Sequence, residues 1–297
     1  MAGMSPTDNI LSFAIPAKHC RGRVVRLGPV LDEILSAHAY PPSIRDMLAE
    51  AVCLTAMLGA LLKDEESQLT LQAQTEAGVI SLLACDYKDG ALRGYVQFDR
   101  ERLAAQPVEP SLMALFGKGY LAITFDMPEP RGRNQGIVPL EGASLAEAVQ
   151  NYFFQSEQIP TLIRVAVDER DGRISAGGLL VQHLPEGEQG RERLHVQLDH
   201  PEWEHVEIMG GSVTPPELTD TALPLEDILW RLFSESDEVR VLNGKACVKG
   251  CRCNEDHIRD VIARFPKEDK VDDEGNIAID CAFCSKTFRI TGASLNN

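Results

Sequence analysis

Val248-Lys-Gly-Cys-Arg-Cys253 and, further on, Asn276-Ile-Ala-Ile-Asp-Cys-Ala-Phe-Cys-Ser-Lys-Thr-Phe-Arg-Ile290 put four cysteines into the last stretch of the chain, with 27 residues between Cys253 and Cys281. Cys251 and Cys253 form one close pair, Cys281 and Cys284 the other. Two such pairs can surround one tetrahedral Zn²⁺ with thiolates at about 2.3 Å, and this spacing, with a strand, knuckle and strand around the second pair, predicts a zinc site. The first pair has one intervening residue rather than two, which makes a tighter clamp. Asn254 is a good helix N-cap, and Ile258, Val261, Ile262 and Phe265 give the segment after it an apolar stripe that ends at Pro266. Residues 241–297 therefore read as a small α+β zinc module.

Upstream, residues 186–240 read as a helical linker. Glu186-Gly-Glu-Gln-Gly-Arg-Glu-Arg193 is polar and breaker-rich, and Gly210-Gly-Ser-Val-Thr-Pro-Pro216 is a second break. Between 224 and 233, Leu225, Ile228, Leu229, Leu232 and Phe233 share one helical face and Trp230 falls off it. That face needs a surface to pack on, so the linker is expected to be docked rather than independent.

Residues 1–185 form the body. Apolar residues at helical spacing (Leu48, Val52, Leu58, Leu62) predict a helix over 42–62. Strands are expected near 69–74, 79–85 and 92–98, with Asp89-Gly90 turning between the last two, and again near 120–125, 135–140, 162–167 and 174–181. Ser144 and Glu147 make a capping-box pattern ahead of a helix that buries Leu145, Ala148, Val149, Tyr152 and Phe153. Helices packed on a largely antiparallel sheet are the simplest arrangement of these elements, giving an α+β chain.

The charge of −16 is uneven: residues 241–297 balance nine basic against nine acidic residues, leaving 20 basic and 36 acidic in residues 1–240. Such an acidic body repels phosphate backbones, so no nucleic-acid partner is expected. The opening MAGMSPTDNILSFAIPAKHC lacks a basic region followed by a long apolar run. The longest apolar stretch, 47–62, is interrupted by Glu50 and is too short to span a bilayer. The expectation is a cytoplasmic protein with no membrane partner, whose eight cysteines serve metal or redox chemistry. No P-loop, GxSxG, HExxH or nucleotide fingerprint is present, so no enzyme is expected.

Energetics bear on what the zinc would do. Cys253 falls at the start of a predicted helix, where the dipole favours thiolate. Lys245, Lys249, Arg252 and Lys286 flank the cysteines and partly offset the double negative charge of a Zn(Cys)₄ centre. Each pair is also close enough in sequence to close on itself as a disulfide. A structural zinc contributes about 10–16 kcal/mol of apparent folding free energy in a small module. Disulfides closing loops of three and four residues contribute roughly 1.6 and 1.9 kcal/mol, less if strained. Neither would tie one pair to the other, so such oxidation removes the cross-link over the gap and unfolds a module too small to fold alone. The alternative is a constitutive zinc ribbon that keeps its metal and binds nucleic acid or a protein partner. A thiol oxidoreductase using Cys281 and Cys284 is a third reading, without the βαβ context that motif needs.

With Pro224-Leu-Glu-Asp-Ile-Leu-Trp-Arg-Leu-Phe233 ahead of it, the CxC-x₂₇-CxxC array resembles that of the redox-regulated 33-kDa heat-shock chaperones of bacteria. Gly119-Tyr-Leu-Ala-Ile-Thr124, Gln135-Gly-Ile-Val-Pro-Leu-Glu-Gly142, Tyr152-Phe-Phe-Gln-Ser-Glu-Gln-Ile-Pro-Thr161 and Ala176-Gly-Gly-Leu-Leu180 resemble that family's segments in the same order. The resemblance implies an ATP-independent holdase, inactive while reduced and zinc-bound. Oxidants such as peroxide or hypochlorite, often with heat, form disulfides within each pair, release zinc and unfold the linker, and the activated protein dimerises and binds unfolding client proteins. By position, it makes Cys251, Cys253, Cys281 and Cys284 the zinc ligands and redox switch. It makes Leu225, Ile228, Leu229, Trp230, Leu232 and Phe233 candidates for the linker and client surface.

Cys247 lies four residues before the first pair, outside that pattern, and is a potential alternative ligand or disulfide partner; Asn134 stands where family members often carry an aromatic residue. Cys53 and Cys85 read as small buried hydrophobes. Cys20 sits beside His19, Arg21 and Arg23, which favour a thiolate, but it is not expected to have a function. His257 is close to Cys253 and reads as an ordinary first-turn histidine, since four thiolates already complete a tetrahedron. Gly177-Gly178 reads as close backbone packing.

Overall fold

From Ala51 to Gly59 every residue of one helix is buried, a pattern that a helix lying on a single sheet cannot produce. The cause is a second sheet. The computed structural model describes residues 7–184, 201–262 and 276–291. The body runs β1 (Asn9–Ile15), β2 (Cys20–Leu27), α1 (Pro29–Leu35), α2 (Pro42–Gly59), β3 (Gln68–Thr75), β4 (Ile80–Lys88), β5 (Ala91–Phe98), α3 (Arg100–Ala104), α4 (Leu112–Phe116), β6 (Gly119–Asp126), β7 (Arg133–Pro139), α5 (Leu145–Tyr152), β8 (Thr161–Arg170) and β9 (Arg173–His183). The linker segment contains α6 (Pro201–Gly211), α7 (Pro215–Thr219) and α8 (Leu225–Phe233). The chain continues through β10 (Arg240–Ala246), β11 (Val248–Lys249), α9 (Glu255–Ile262), β12 (Asn276–Asp280) and β13 (Thr287–Thr291).

One sheet has the order β10-β1-β2-β9-β8 and the other β11-β5-β4-β3-β6-β7, antiparallel throughout except for the β11/β5 pair. Helix α2 touches β3, β4 and β5 of one sheet and β2, β8 and β9 of the other. Its Leu48 and Val52 meet β5 at Gly94, and its Cys53 and Met57 meet β9 at Gly178. The α+β expectation holds, with two sheets around a central helix rather than one sheet carrying helices. Among the described residues no helix is long and apolar enough to cross a membrane.

The expected strands are present, and Asp89-Gly90 turns between β4 and β5 with positive φ at both residues. The capping at α5 differs in detail. Ser144 Oγ accepts the Glu147 N–H at 3.2 Å, but the Glu147 carboxylate reaches back one residue further, to the Ala143 N–H at 2.7 Å. A reciprocal box forms instead at α7, where Glu217 accepts the Thr214 N–H at 2.8 Å.

The outer face of the five-stranded sheet is covered by the linker. Leu11, Phe13, Ile15, Val24, Leu162, Leu179 and Val181 make one apolar cluster with Trp203, Val206, Leu218 and the α8 face. Leu225, Ile228, Leu229, Leu232 and Phe233 are all buried there, and the Phe13 and Phe233 rings lie 5.8 Å apart. Burying each such side chain contributes roughly 1.5–3 kcal/mol. Trp230 stays outside, 64% exposed, as its place on the helical wheel requires. The polar stretch 186–193 lies outside the described residues, as do Phe265 and Pro266.

The strands after the linker extend the body. β10 adds to β1 at the edge of the five-stranded sheet, and β11 adds to β5 at the edge of the six-stranded one. The cysteine-bearing segments are thereby delivered to a fixed place.

Candidate metal centre

β11 runs parallel to β5, with Val248 opposite Ala91 and Lys249 opposite Leu92. The Gly250 N–H continues the pairing to the Leu92 carbonyl at 2.8 Å. Gly250 lies flat on Ala91: a Cβ there would sit 2.3 Å from the Ala91 Cβ, so no side chain fits. The strand thus places Cys251-Arg252-Cys253 over β5. The Ile258 N–H donates to the Asn254 carbonyl and opens α9 directly after the first pair, as the N-cap reading requires. Ile258 and Ile279 pack on Ile277 and Ile290, a small core of its own. The side chains of Val261 and Ile262, and that of His257, are outside the described set.

The second pair sits in the knuckle between β12 and β13. The Cys281 N–H donates to the Lys286 carbonyl at 2.9 Å, the Ser285 N–H donates to the Cys281 carbonyl at 2.8 Å, and Ser285 takes φ of 56° to close the turn. The four sulfurs converge, all within 4.8 Å of one another. Cys251 and Cys253 are 3.3 Å apart, Cys251 and Cys281 3.6 Å, and Cys253 and Cys284 3.5 Å. All four are free thiols. A tetrahedral ion with 2.3 Å bonds sets its sulfurs about 3.8 Å apart, a separation between the three short distances and the 4.8 Å that bounds the whole set, so the four sulfurs are near enough to close on one soft tetrahedral cation.

Electrostatics separate the four. Burial opposes ionisation of Cys251, but the Cys253 N–H and the neighbouring sulfurs outweigh it and hold its pKa down to about 7. Burial, together with the charge shared among the sulfurs, pushes Cys253 and Cys281 up. A divalent cation among the sulfurs would favour their thiolate forms.

The flanking cations have partners of their own besides the sulfurs, and Arg252 among them also feels the charge of Cys251. Lys245 pairs with Asp89, Lys249 Nζ donates to the Glu33 carbonyl at 2.9 Å, and Lys286 Nζ lies 4.9 Å from the centre of the Phe288 ring. Arg252 donates to Asp86 at 2.9 Å. These side chains tie the cysteine segments to the body or to their own hairpin.

The body also grips the knuckle. The His38 Nε2 to Ala282 carbonyl distance is 2.7 Å, Ser285 Oγ donates to the Ala37 carbonyl at 2.6 Å, and Arg93 lies 4.0 Å over the Phe283 ring. His38, Asp86 and Arg93 were not singled out by the sequence reading. A signal existed for two of them: counting outward from the Asp89-Gly90 turn pairs Asp86 with Arg93.

The other cysteines are elsewhere. Cys20, Cys53, Cys85 and Cys247 are buried, and burial pushes all four thiols up, Cys20 to about 12. The arginines beside Cys20 do not favour its thiolate, because Arg21 and Arg23 point to Gln182 and to the Ala60 and Gly22 carbonyls. Cys247 belongs to the body core and is not one of the converging sulfurs.

Comparisons with known proteins agree along the whole chain. The family model described as Hsp33 protein matches residues 8–291. A 33 kDa chaperonin of Caulobacter vibrioides (strain NA1000 / CB15N) is 37% identical over 294 residues, covering 95% of this chain and 94% of the relative. One from Nitrosococcus oceani is 32% identical over 290 residues, covering 96% and 92%. The crystal structure of the 33 kDa chaperonin (heat shock protein 33 homolog) of Thermotoga maritima shares the fold, with TM-score 0.78, 20% identity and coverage of 97% and 96%.

Proposed function

The chain belongs to the Hsp33 family of heat-shock chaperones, and on that premise we propose that it is a redox-regulated, ATP-independent holdase. In the reduced state Cys251, Cys253, Cys281 and Cys284 hold Zn²⁺ and keep the linker docked. Peroxide then takes two electrons from each pair: Cys251 with Cys253 and Cys281 with Cys284 become disulfides, and two peroxides become four waters with four protons drawn from solvent. Each S–S bond leaves its two sulfurs without the thiolate charge, so they no longer hold the metal.

The observation that carries this reading is the covered apolar face of α8. Leu225, Ile228, Leu229, Leu232 and Phe233 and the sheet beneath them are a ready-made client surface, shut while the linker is docked. Loss of the cross-link between the two pairs removes about 10–16 kcal/mol of metal-derived stability against roughly 1.6 and 1.9 kcal/mol returned by the short disulfides. The switch module loosens, the linker follows, and the exposed surface binds unfolding proteins and a second copy of the chain. Cytoplasmic residence fits the eight thiols.

The test is suppression of aggregation of a heat-unfolding client by the zinc-loaded reduced chain, before and after peroxide with mild heat. Suppression only after oxidation is the expected result. Oxidised protein that has lost zinc and holds no client would overturn the chaperone reading, and zinc retained through peroxide would favour the constitutive ribbon.

A further inference from the structure

Asp86 is a carboxylate on β4 whose side chain is only 6% exposed, yet it serves both halves of the cysteine centre. Its Oδ1 accepts from Thr70 Oγ1 at 2.7 Å, across the β3/β4 pair. Its Oδ2 accepts from Arg93 Nε at 2.6 Å, across the β4/β5 pair, and also from an Arg252 terminal nitrogen at 2.9 Å. Arg252 stands between Cys251 and Cys253. Arg93 covers the ring of Phe283, which stands between Cys281 and Cys284. One buried oxygen therefore receives a guanidinium from the first pair directly and reaches the second pair through another.

A cross-strand ion pair between Asp86 and Arg93 would be complete without Arg252. Two guanidiniums on one carboxylate leave a net positive charge, and it lies beside a centre that would be doubly negative when four thiolates hold a divalent cation. We propose that Asp86 is a positioning residue for the metal centre, holding the two cysteine pairs in register on the body, so that docking on the body slows loss of the metal. The proposal rests on the reading of the four thiols as a metal site.

The experiment measures transfer of Zn²⁺ from the reduced, zinc-loaded full-length chain to a chromophoric chelator. The chains compared are wild type, Asp86→Asn, Arg252→Met and the double variant. Each single change is expected to speed transfer on the order of 10-fold, as loss of an outer partner of a metal site does. The double variant should be no faster than the faster single one, because both changes remove the same contact. Arg252→Met lies outside the body sheets and carries the test if Asp86→Asn fails to fold. Wild-type rates in the single variants, or single effects that multiply in the double, would overturn the proposal while leaving the metal reading intact. A wild-type chain that takes up no Zn²⁺ with all four thiols reduced would overturn both.

Discussion

Arg26 on β2 and Gly177 on β9 face each other across the sheet, and the Leu218 carbonyl of the linker occupies the space the glycine leaves. A Cβ at position 177 would lie 2.0 Å from that carbonyl oxygen. The fully buried Arg26 guanidinium donates to it at 2.9 Å, to the Glu217 carbonyl at 3.0 Å and to the Leu223 carbonyl. Burial pulls its pKa down. A buried cation held by linker carbonyls is a pin with two stable outcomes: bonded while the linker is docked, hydrated once it leaves.

Arg26→Met should therefore loosen the linker without oxidation. It strips donors from three carbonyls, at about 1–3 kcal/mol for each one left buried. Hydrogen exchange is expected to accelerate at least 10-fold over α7 and α8 while α2 stays protected. Gly177→Ala should do the same by pushing the Leu218 carbonyl away. Unchanged exchange in both variants would show that the pin does not hold the linker.

The two faces of α8 should respond differently. Ile228→Ala or Leu229→Ala removes a buried side chain, and a loss of about 2–5 kcal/mol from docking is expected. Trp230→Ala, at a 64% exposed position, should change linker melting by little. Heat-induced exposure of Trp203, followed by fluorescence, checks this: the Ile228 and Leu229 variants are made in a Trp230→Phe background, and Trp230→Ala already leaves Trp203 as the one tryptophan of the two. Equal effects from Ile228 and Trp230 would contradict the docked orientation.

Half of the eight thiols should be reachable in the folded chain. After chelation under native conditions, a thiol reagent is expected to modify Cys251, Cys253, Cys281 and Cys284 quickly. Cys53, Cys85 and Cys247, in the body core, should wait for denaturant, and Cys20, in the cluster beneath the linker, should become reachable only as the linker leaves. Peptide mapping by mass spectrometry reads the result, and early labelling of Cys247 would contradict its place in the body core.

Glu50 supplies a pH signature of the body. Burial pushes its carboxyl up to about 7 from an ordinary 4.5, although N–H groups at the start of α5 act the other way. A folded pKa above the unfolded one means the folded state holds the proton more tightly. That contribution is full below about 4.5, declines as pH rises towards 7, and is gone above. Glu50→Gln should remove this slope and be more stable than wild type at neutral pH, on the order of 3 kcal/mol, with the two curves converging in acid. Denaturant titrations at several pH values measure it, and parallel curves would refute it.

What the sequence disclosed follows from how local its signals are. The four cysteines, the knuckle, the α8 face and the hairpin at Asp89-Gly90 are patterns within one segment, and each is found where the spacing put it. The second sheet was not visible, because β2 carries Arg21, Arg23 and Arg26 and does not read as a core strand. Arg26 is tolerated only because carbonyls nearly two hundred residues away receive it. The grip of the body on the cysteine centre was hidden for the same reason: Arg252 reads only as a countercharge to sulfur until Asp86 is seen beneath it.

The most direct measurement is the disulfide map of the peroxide-treated, zinc-loaded chain, taken together with the metal released. Cys251 lies as near to Cys281 as a neighbouring ligand does, so the folded geometry would allow a bridge between the pairs. A clasp that oxidation opens requires the other result: Cys251–Cys253 and Cys281–Cys284 bridges, one zinc lost per chain, and a linker that has become exchangeable. A Cys251–Cys281 or Cys253–Cys284 bridge would keep the module fastened after the metal is gone, and would contradict the switch.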